Sequence, residues 1–256
     1  MNVIGLDIAS QTGWVILSIN ENKEVKIDDR GSIILDSRMD LSQRLRYFSV
    51  ELSRIFENHN IDYVFIEDVL LGISGVKTLA YLARLNGVAV NTAFTYVKEN
   101  VKLYQPSYWK SNSFRELKGT SPKWEIQLSV CNYFNIKIEE SFFKSFSLKQ
   151  CEFEKYLFGI KDTILNRRTC LNSYKTSLTR KRNPLSQNDK DELKILIETT
   201  EKEITTYKKE LVDKEKEFDK FMNKISIDIS AQTGISTDIA DACGIALCGL
   251  KELKII

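Results

Sequence analysis

The sequence predicts an α/β domain on a mixed sheet, interrupted by an inserted antiparallel coiled-coil hairpin. Three features predict it. Short apolar runs that end in acids alternate with stretches of helical spacing. Composition shifts between about residues 144 and 226, where Gly almost disappears and a single Pro remains. Within that stretch the apolar residues recur in alternating steps of four and three. The expected division is 1–143 for the first part of the α/β domain, 144–226 for the hairpin, and 227–256 for a C-terminal helix that completes the domain.

Taken in order, Val3 to Asp7 (VIGLD) is an apolar run closing on an acid. Trp14 to Ile19 (WVILSI) follows a Ser/Thr/Gly-containing turn, so the two read as adjacent antiparallel strands. Val25 to Leu35 supplies a third strand. Leu41, Leu45, Phe48, Leu52 and Ile55 are spaced for one face of a helix. Tyr63 to Ile66 (YVFI) is a continuous apolar strand that again ends in acid, at Glu67 and Asp68. After Gly72, Val76 to Val97 reads as a largely apolar helix, Val101 to Tyr104 as a short strand, and Pro122 opens a helix to about Phe134. From Ser236 a small-residue helix begins under a Ser/Thr cap. Antiparallel strands followed by strand–helix alternation indicate a mixed sheet with flanking helices.

The insert has its own period. Phe153, Leu157, Ile160, Ile164, Arg167, Leu171, Tyr174 and Leu178 form one seam, and Leu193, Ile197, Thr200, Ile204, Tyr207, Leu211, Lys214, Phe218, Phe221 and Ile225 form the other. Ser147 with Gln150 predicts a capping-box start, and Asn188 a cap for the second arm after the break around Asn183 and Pro184. Each arm is expected to be on the order of 50 Å long.

Composition removes whole classes of function. The 256 residues are 43% hydrophobic and 28% charged, so bulk disorder is excluded. Five cysteines without a CxxC pair make neither a disulfide framework nor a zinc ribbon, and suit a reducing compartment. There is no basic leader ahead of an apolar run and no stretch of about 18 apolar residues, so a cytoplasmic protein with no membrane contact is expected. A single histidine, His59, excludes most Ser-His-Asp and multi-His metal schemes, and its place after a helix end marks it as a cap or surface residue. The cysteines of ACGIALC lie on an apolar helix and read as core. The net charge of +2 hides a partition: roughly 19 basic and 14 acidic residues between Lys144 and Lys224, and roughly 18 and 21 elsewhere.

Four acids carry the chemistry. Asp7 and Glu67 end strands, while Asp238 and Asp241, three apart, share one face of the opening turn of the last helix. Carboxylates gathered from strand ends and a helix start are hard oxygen ligands for Mg2+ or Mn2+, and repel one another without a cation. A phosphodiester is the substrate such paired metal ions suit. Singly, each acid has a structural explanation as a turn residue or helix cap; together, each pair of strand and acid supports a metal site. Asp68 alternates to the opposite face from Glu67 and is left out.

The segments IGLDIASQTGW, IDYVFIEDVLLG and TDIADACGIAL resemble the three acidic motifs of the RuvC-type Holliday-junction resolvases, within the RNase H-like superfamily. The resemblance covers roughly residues 1–138 and 226–250. It implies an RNase H-like fold and a Mg2+-dependent endodeoxyribonuclease acting on four-way or other branched DNA, of viral or bacterial origin, located in the cytoplasm of a bacterial or virus-infected cell. By the same resemblance Asp7, Glu67, Asp238 and Asp241 hold two metal ions, with Mn2+ able to replace Mg2+. Lys110 (in YQPSYWK) and Lys123 (in KGTSPKWEIQLSV) fall where the family has basic residues near the scissile phosphate. Ala9 replaces a Gly after the first acid, and Leu70 stands where bacterial members have a Phe that helps open the junction centre. The compact bacterial enzymes have no counterpart of the hairpin.

Two further expectations concern assembly and DNA. Paired nicks on a junction imply a homodimer, with the helix Val76 to Val97, carrying Leu79, Leu82, Leu85, Val88 and Val90, as the interface. The hairpin tip has no acid from Thr163 to Asn188 but carries Arg167, Arg168, Lys175, Arg180, Lys181 and Arg182, a basic end suited to phosphates. Two rival readings remain: an RNase H-fold ATPase or kinase-like protein, suggested by GLDIASQTGW but lacking a second domain and a Gly-rich adenosine motif, and a non-catalytic branched-DNA-binding protein.

Overall fold

The computed structural model describes residues 1–69, 75–114, 116–179 and 186–256. The chain divides into two compact units, Met1–Ile138 with Ser226–Ile256, and Glu139–Ile225.

The first unit is built on one five-stranded sheet. Its strands are β1 (Asn2–Asp7), β2 (Gln11–Ile19), β3 (Val25–Ile34), β4 (Tyr63–Glu67) and β5 (Val101–Tyr104), in the order β3-β2-β1-β4-β5. β1, β2 and β3 run antiparallel in succession, while β4 and β5 run parallel to β1 and to each other. This is the mixed sheet expected. The central strand is buried from Val3 onward because helices cover both faces.

One face receives α1 (Leu41–Asn58) and α2 (Val76–Val97). Phe48, Leu52 and Phe56 of α1 and Leu85, Ala89, Ala93 and Val97 of α2 pack against Ile4, Leu6, Ile16, Val64 and Ile66. Asp40 opens α1 with a capping box completed by Gln43. His59 closes the helix, with Nδ1 2.8 Å from Ile55 O and Nε2 3.1 Å from Asp29 Oδ2, the cap role its position predicts.

The other face receives α7 (Thr237–Glu252), buried without interruption from Ile239 to Leu250 and capped by Ser236, whose hydroxyl accepts from Ile239 N. Cys243 and Cys248 are core residues, as expected. Two shorter helices, α3 (Pro106–Ser113) and α4 (Lys123–Tyr133), also pack on α7. α3 has no counterpart among the elements read from the sequence; Pro106 in its first turn starts it, since a missing N–H costs nothing there. Buried Gln127 of α4 places its Nε2 3.0 to 3.2 Å from Ser226 O, Ser230 Oγ and Ile235 O, fixing the turn that leads into α7.

The second unit consists of α5 (Glu140–Leu178) and the part of α6 (Gln187–Thr233) up to Ile225. Their buried seam includes Ile160, Ile164, Ile204, Met222 and Ile225, with Phe153 in ring contact with Phe218 and Phe221. Cross-arm pairs Lys161–Glu215, Arg167–Glu203 and Lys175–Glu201 step down α6 as they step up α5, the signature of antiparallel arms. The starts differ from expectation. Ser147 lies inside α5, which begins after Glu139, and the second arm is capped by Ser186 rather than Asn188: Ser186 Oγ and N both donate to Asp189 Oδ2, and Asp189 N donates to Ser186 Oγ.

Candidate active site

The sheet delivers the first two acids to one end. Asp7 is the last residue of β1, and in the parallel pairing Ile66 lies opposite Leu6, so Glu67 comes level with Asp7 at the carboxyl end of the neighbouring strand. Asn86 of α2 donates from Nδ2 to Glu67 O at 2.8 Å and anchors that strand end.

The other two acids arrive on α7, and glycine lets them come close. Gly13 is the antiparallel partner of Asp7. A Cβ on Gly13 would stand 2.2 Å from Asp238 O, and one on Gly5 would stand 2.1 Å from Ala242 O. Any side chain at either position would meet backbone, so β1 and β2 take α7 in near-direct backbone contact. The first turn of α7 is thereby set beside Asp7, with Asp238 and Asp241 on one face.

Basic and neutral donors complete the group. Lys123, first residue of α4, places Nζ 3.1 Å from Asp238 Oδ1 and 3.6 Å from Asp241 Oδ2. Lys110 of α3 lies with Nζ 5.5 Å from the centre of the Trp109 ring. Trp109 is fully buried and donates from Nε1 to Glu67 Oε2 at 2.7 Å.

The electrostatics are strained. Asp7 and Asp241 are only 8% and 5% exposed. Burial, then repulsion from Asp241, Glu67 and Asp238, pushes the Asp7 carboxyl well above the usual range against the pull of Lys123. Burial first, with Glu67 and Asp238 adding to it, pushes Asp241 up to about 7 although Lys123 and Lys110 oppose the rise. Glu67 is also raised by burial, against the Trp109 hydrogen bond and the charges of Lys110 and Lys123. The Lys123 ammonium, which burial alone would lower, is held above its ordinary value by Asp241, Asp238 and Asp7.

Among the described residues no three His, Cys, Asp or Glu side chains are gathered closely enough to hold a metal ion. The donor chemistry fits a divalent cation all the same. The donors are hard oxygens, they repel one another, and Asp241 Oδ1 is buried with no hydrogen-bond partner. The ammonium of Lys123 stands between Asp238 and Asp241 as a cation would.

Asp7, Glu67, Asp238, Asp241, Lys110 and Lys123 thus lie in one neighbourhood. Leu70, Arg180, Lys181 and Arg182 fall outside the described residues. Along the hairpin, Arg167 and Lys175 pair across the arms with Glu203 and Glu201. Sequence reading missed Trp109, Asn86, Gly5 and Gly13. The glycines carried a signal, since an isolated Gly within a strand pattern marks a close backbone approach; the two polar contacts depend on tertiary placement.

A five-stranded mixed sheet with acids from β1, β4 and α7 at one end is the architecture against which the comparisons are set. The chain belongs to the family described as crossover junction endodeoxyribonuclease RuvC, whose model matches residues 3–140. That span includes Asp7, Glu67, Lys110 and Lys123 and ends before Asp238 and Asp241, which join the site through the fold. A crossover junction endodeoxyribonuclease RuvC of Ehrlichia ruminantium (strain Welgevonden) is 27% identical over 143 residues, covering 54% of this chain and 85% of the relative. Among solved structures, Thermus thermophilus RuvC has a TM-score of 0.46 at 15% identity over 54% of this chain and 82% of its own. The same protein in complex with a Holliday junction substrate gives 0.46 at 14% identity, with the same coverage. The expectation of an endodeoxyribonuclease of the crossover junction type is met at the level of the family.

Proposed function

We propose that the protein is a Mg2+-dependent endodeoxyribonuclease that resolves four-way or other branched DNA junctions by phosphodiester hydrolysis, with Mn2+ able to substitute. The observation that carries the reading is the convergence of Asp7, Glu67, Asp238 and Asp241 around Lys123 in a member of this family. The family argues against the ATPase reading, and four acids held together at a cost in repulsion argue against a purely binding role.

Asp7, Glu67, Asp238 and Asp241 are the residues to hold two divalent ions, which when bound polarise the phosphate and lower the pKa of a water. The rest of the work falls to the chain itself. Lys123 neutralises the Asp238–Asp241 pair while no cation is present; once its partners are engaged elsewhere, its ammonium is available to the charge that builds on the phosphate. Lys110, beside Trp109, adds a second positive group at the same end of the sheet. Leu70 takes the place of the family's wedge residue at the junction centre.

Symmetric nicks require two sites related by a two-fold axis, so the working form is a homodimer. Of the residues expected at the interface, Leu85 is instead buried in the core of its own unit, while Leu79, Leu82, Val88 and Val90 are half-buried and, with the exposed Val76 and Phe94, are what α2 offers to a partner. The protein's place of work is the cytoplasm of a bacterial or virus-infected cell; among the described residues no helix is long and apolar enough to cross a membrane. Arg168, with Arg180, Lys181 and Arg182, makes the hairpin tip a phosphate contact. Changing those last three to Ser is expected to weaken junction binding and flatten its salt dependence by about 0.9 in slope per lost contact; unchanged affinity and slope would exclude the tip.

The central test is Asp7→Asn. It should keep the fold and junction binding while lowering the rate of metal-dependent cleavage by about three orders of magnitude. Undiminished cutting of a four-way junction by that variant removes the proposed mechanism.

A further inference from the structure

We infer that Trp109 is a positioning residue of this site: its indole N–H takes Glu67 Oε2 and leaves Oε1 as the oxygen Glu67 offers to a cation. The inference rests on the metal-dependent reading above and goes beyond it by fixing how one ligand donates.

Three observations support it. The Nε1–Oε2 distance is 2.7 Å, at the short end for an N–H donor and in the range of charge-assisted bonds. The indole cannot move aside, because it is fully buried and its six-membered ring lies against Gly244, where an added Cβ would be 2.5 Å from Cζ3 and 2.9 Å from Cε3. Gly244 is three residues beyond Asp241 on α7, so one ring is wedged between the strand end that carries Glu67 and the helix that carries Asp241. Asn86 holds the Glu67 backbone carbonyl, so the strand end that carries the carboxylate is itself anchored.

The chemistry of the donor separates Trp109 from the two lysines. An indole N–H donates and cannot accept or ligate, and it carries no charge. Lys123, being charged, would be displaced from the Asp238–Asp241 pair if a divalent ion were held there, whereas the neutral Trp109 indole would not. The indole can therefore keep its bond to Glu67 in both the metal-free and the loaded protein. A carboxylate held by one oxygen donates through the other, the mode that suits a small ion with six closely set ligands. A carboxylate free to turn can chelate with both oxygens, the mode that larger ions such as Ca2+ accept.

The test uses the full chain and two probes, Mg2+ and Ca2+, with binding read by calorimetry and by thermal shift. Trp109→Phe keeps an aromatic ring at this buried position but removes the N–H together with part of the indole, so stability is measured alongside binding. The expected result is about a tenfold rise in the Mg2+ dissociation constant, the scale of effect seen when an outer partner of a metal ligand is lost. Ca2+ binding should weaken less, so the ratio of the two affinities moves toward Ca2+. In the Glu67→Gln background the same change should have no further effect on Mg2+ binding. Junction binding without metal should stay at the parent value.

Equal Mg2+ and Ca2+ affinities in parent and Trp109→Phe overturn the inference even if the variant melts earlier, because a merely structural tryptophan moves stability alone. Should the variant fail to fold, the parent protein still decides: the Trp109 indole proton is expected to remain protected from exchange on saturation with Mg2+, and its release overturns the inference. Absence of Mg2+ binding by the parent overturns the functional reading itself, and this inference with it.

Discussion

In the hairpin, Lys161, Arg167 and Lys175 meet Glu215, Glu203 and Glu201 across the arms with every partner roughly half exposed. In the α/β unit, Asp7 and Asp241 are buried and Glu67 half-buried, each within reach of the others' charge, and Lys123 answers only part of it. The first arrangement is ordinary surface electrostatics, in which each pair contributes little and the apolar seam supplies the stability. The second opposes folding of the metal-free protein and accords with the cation site proposed above. Charge therefore follows the fold in one region, while in the other the fold is built to hold charge in an unfavourable place.

The largest expected effect tests what holds the acids there. Gly13→Ala places a methyl 2.2 Å from Asp238 O, a backbone atom that cannot turn away. α7 must shift off β2, so the variant should lose about 3 kcal/mol of stability, and metal-dependent cleavage should fall with the displacement of Asp238 and Asp241. A denaturant titration and a junction cleavage assay measure the two. An alanine variant with parent stability would show that α7 is free to slide, and would undo the account of how the site is assembled.

A smaller effect of opposite sign tests the strain itself. Asp241→Asn keeps the shape of a residue that is 5% exposed and removes a charge that Glu67 and Asp238 repel. The metal-free variant should be more stable than the parent by about 1 kcal/mol at pH 8 while losing cleavage. The sign depends on pH. A carboxyl raised to about 7 in the folded state contributes most below its unfolded value, and that contribution is lost as pH rises through 7. The parent therefore carries the full penalty at pH 8 and only part of it at pH 5, between the unfolded and folded values, so the gap between the proteins should shrink on acidification. A gap that grows at pH 5, followed by thermal melts without metal, contradicts the repulsion argument.

These contrasts also explain what could be read in the sequence. VIGLD and YVFIE announce themselves because a strand covered on both faces is a continuous apolar run, and the acid at its end breaks the run. TDIADACGIAL reads as a helix with its acids at the start because small residues dominate its buried face. α3 stayed invisible because eight residues carry too little periodicity, and its role comes from Trp109 reaching a carboxylate 42 positions away. The start of α5 was misjudged because Ser147 and Gln150 imitate a capping box in mid-helix, where Gln150 in fact bonds Glu154. Local chemistry is legible in the sequence and contacts between distant elements are not, although Gly5 and Gly13 carry the mark of positions that have to stay empty.

The smallest effect belongs to the hairpin. Lys175 Nζ lies 2.7 Å from Glu201 Oε1, a shorter contact than the 3.1 Å between Lys123 and Asp238, and by distance alone it is the stronger bond. Exposure reverses that ranking. The Lys175 and Glu201 side chains are 51% and 49% exposed, so water screens the pair, and ordering two long side chains consumes much of what remains. Asp238, by contrast, is 17% exposed and shares its lysine with a nearly buried Asp241. Lys175→Met is accordingly expected to change the unfolding free energy by roughly 0.5 kcal/mol or less, and less still in high salt. Lys123→Met should cost more in the metal-free protein, since it leaves two acids without their shared cation, and added Mg2+ should restore part of the loss. If Lys175→Met proves the more damaging of the two in melts at low salt, then the hairpin rather than the acid site carries the electrostatics that matter to this fold.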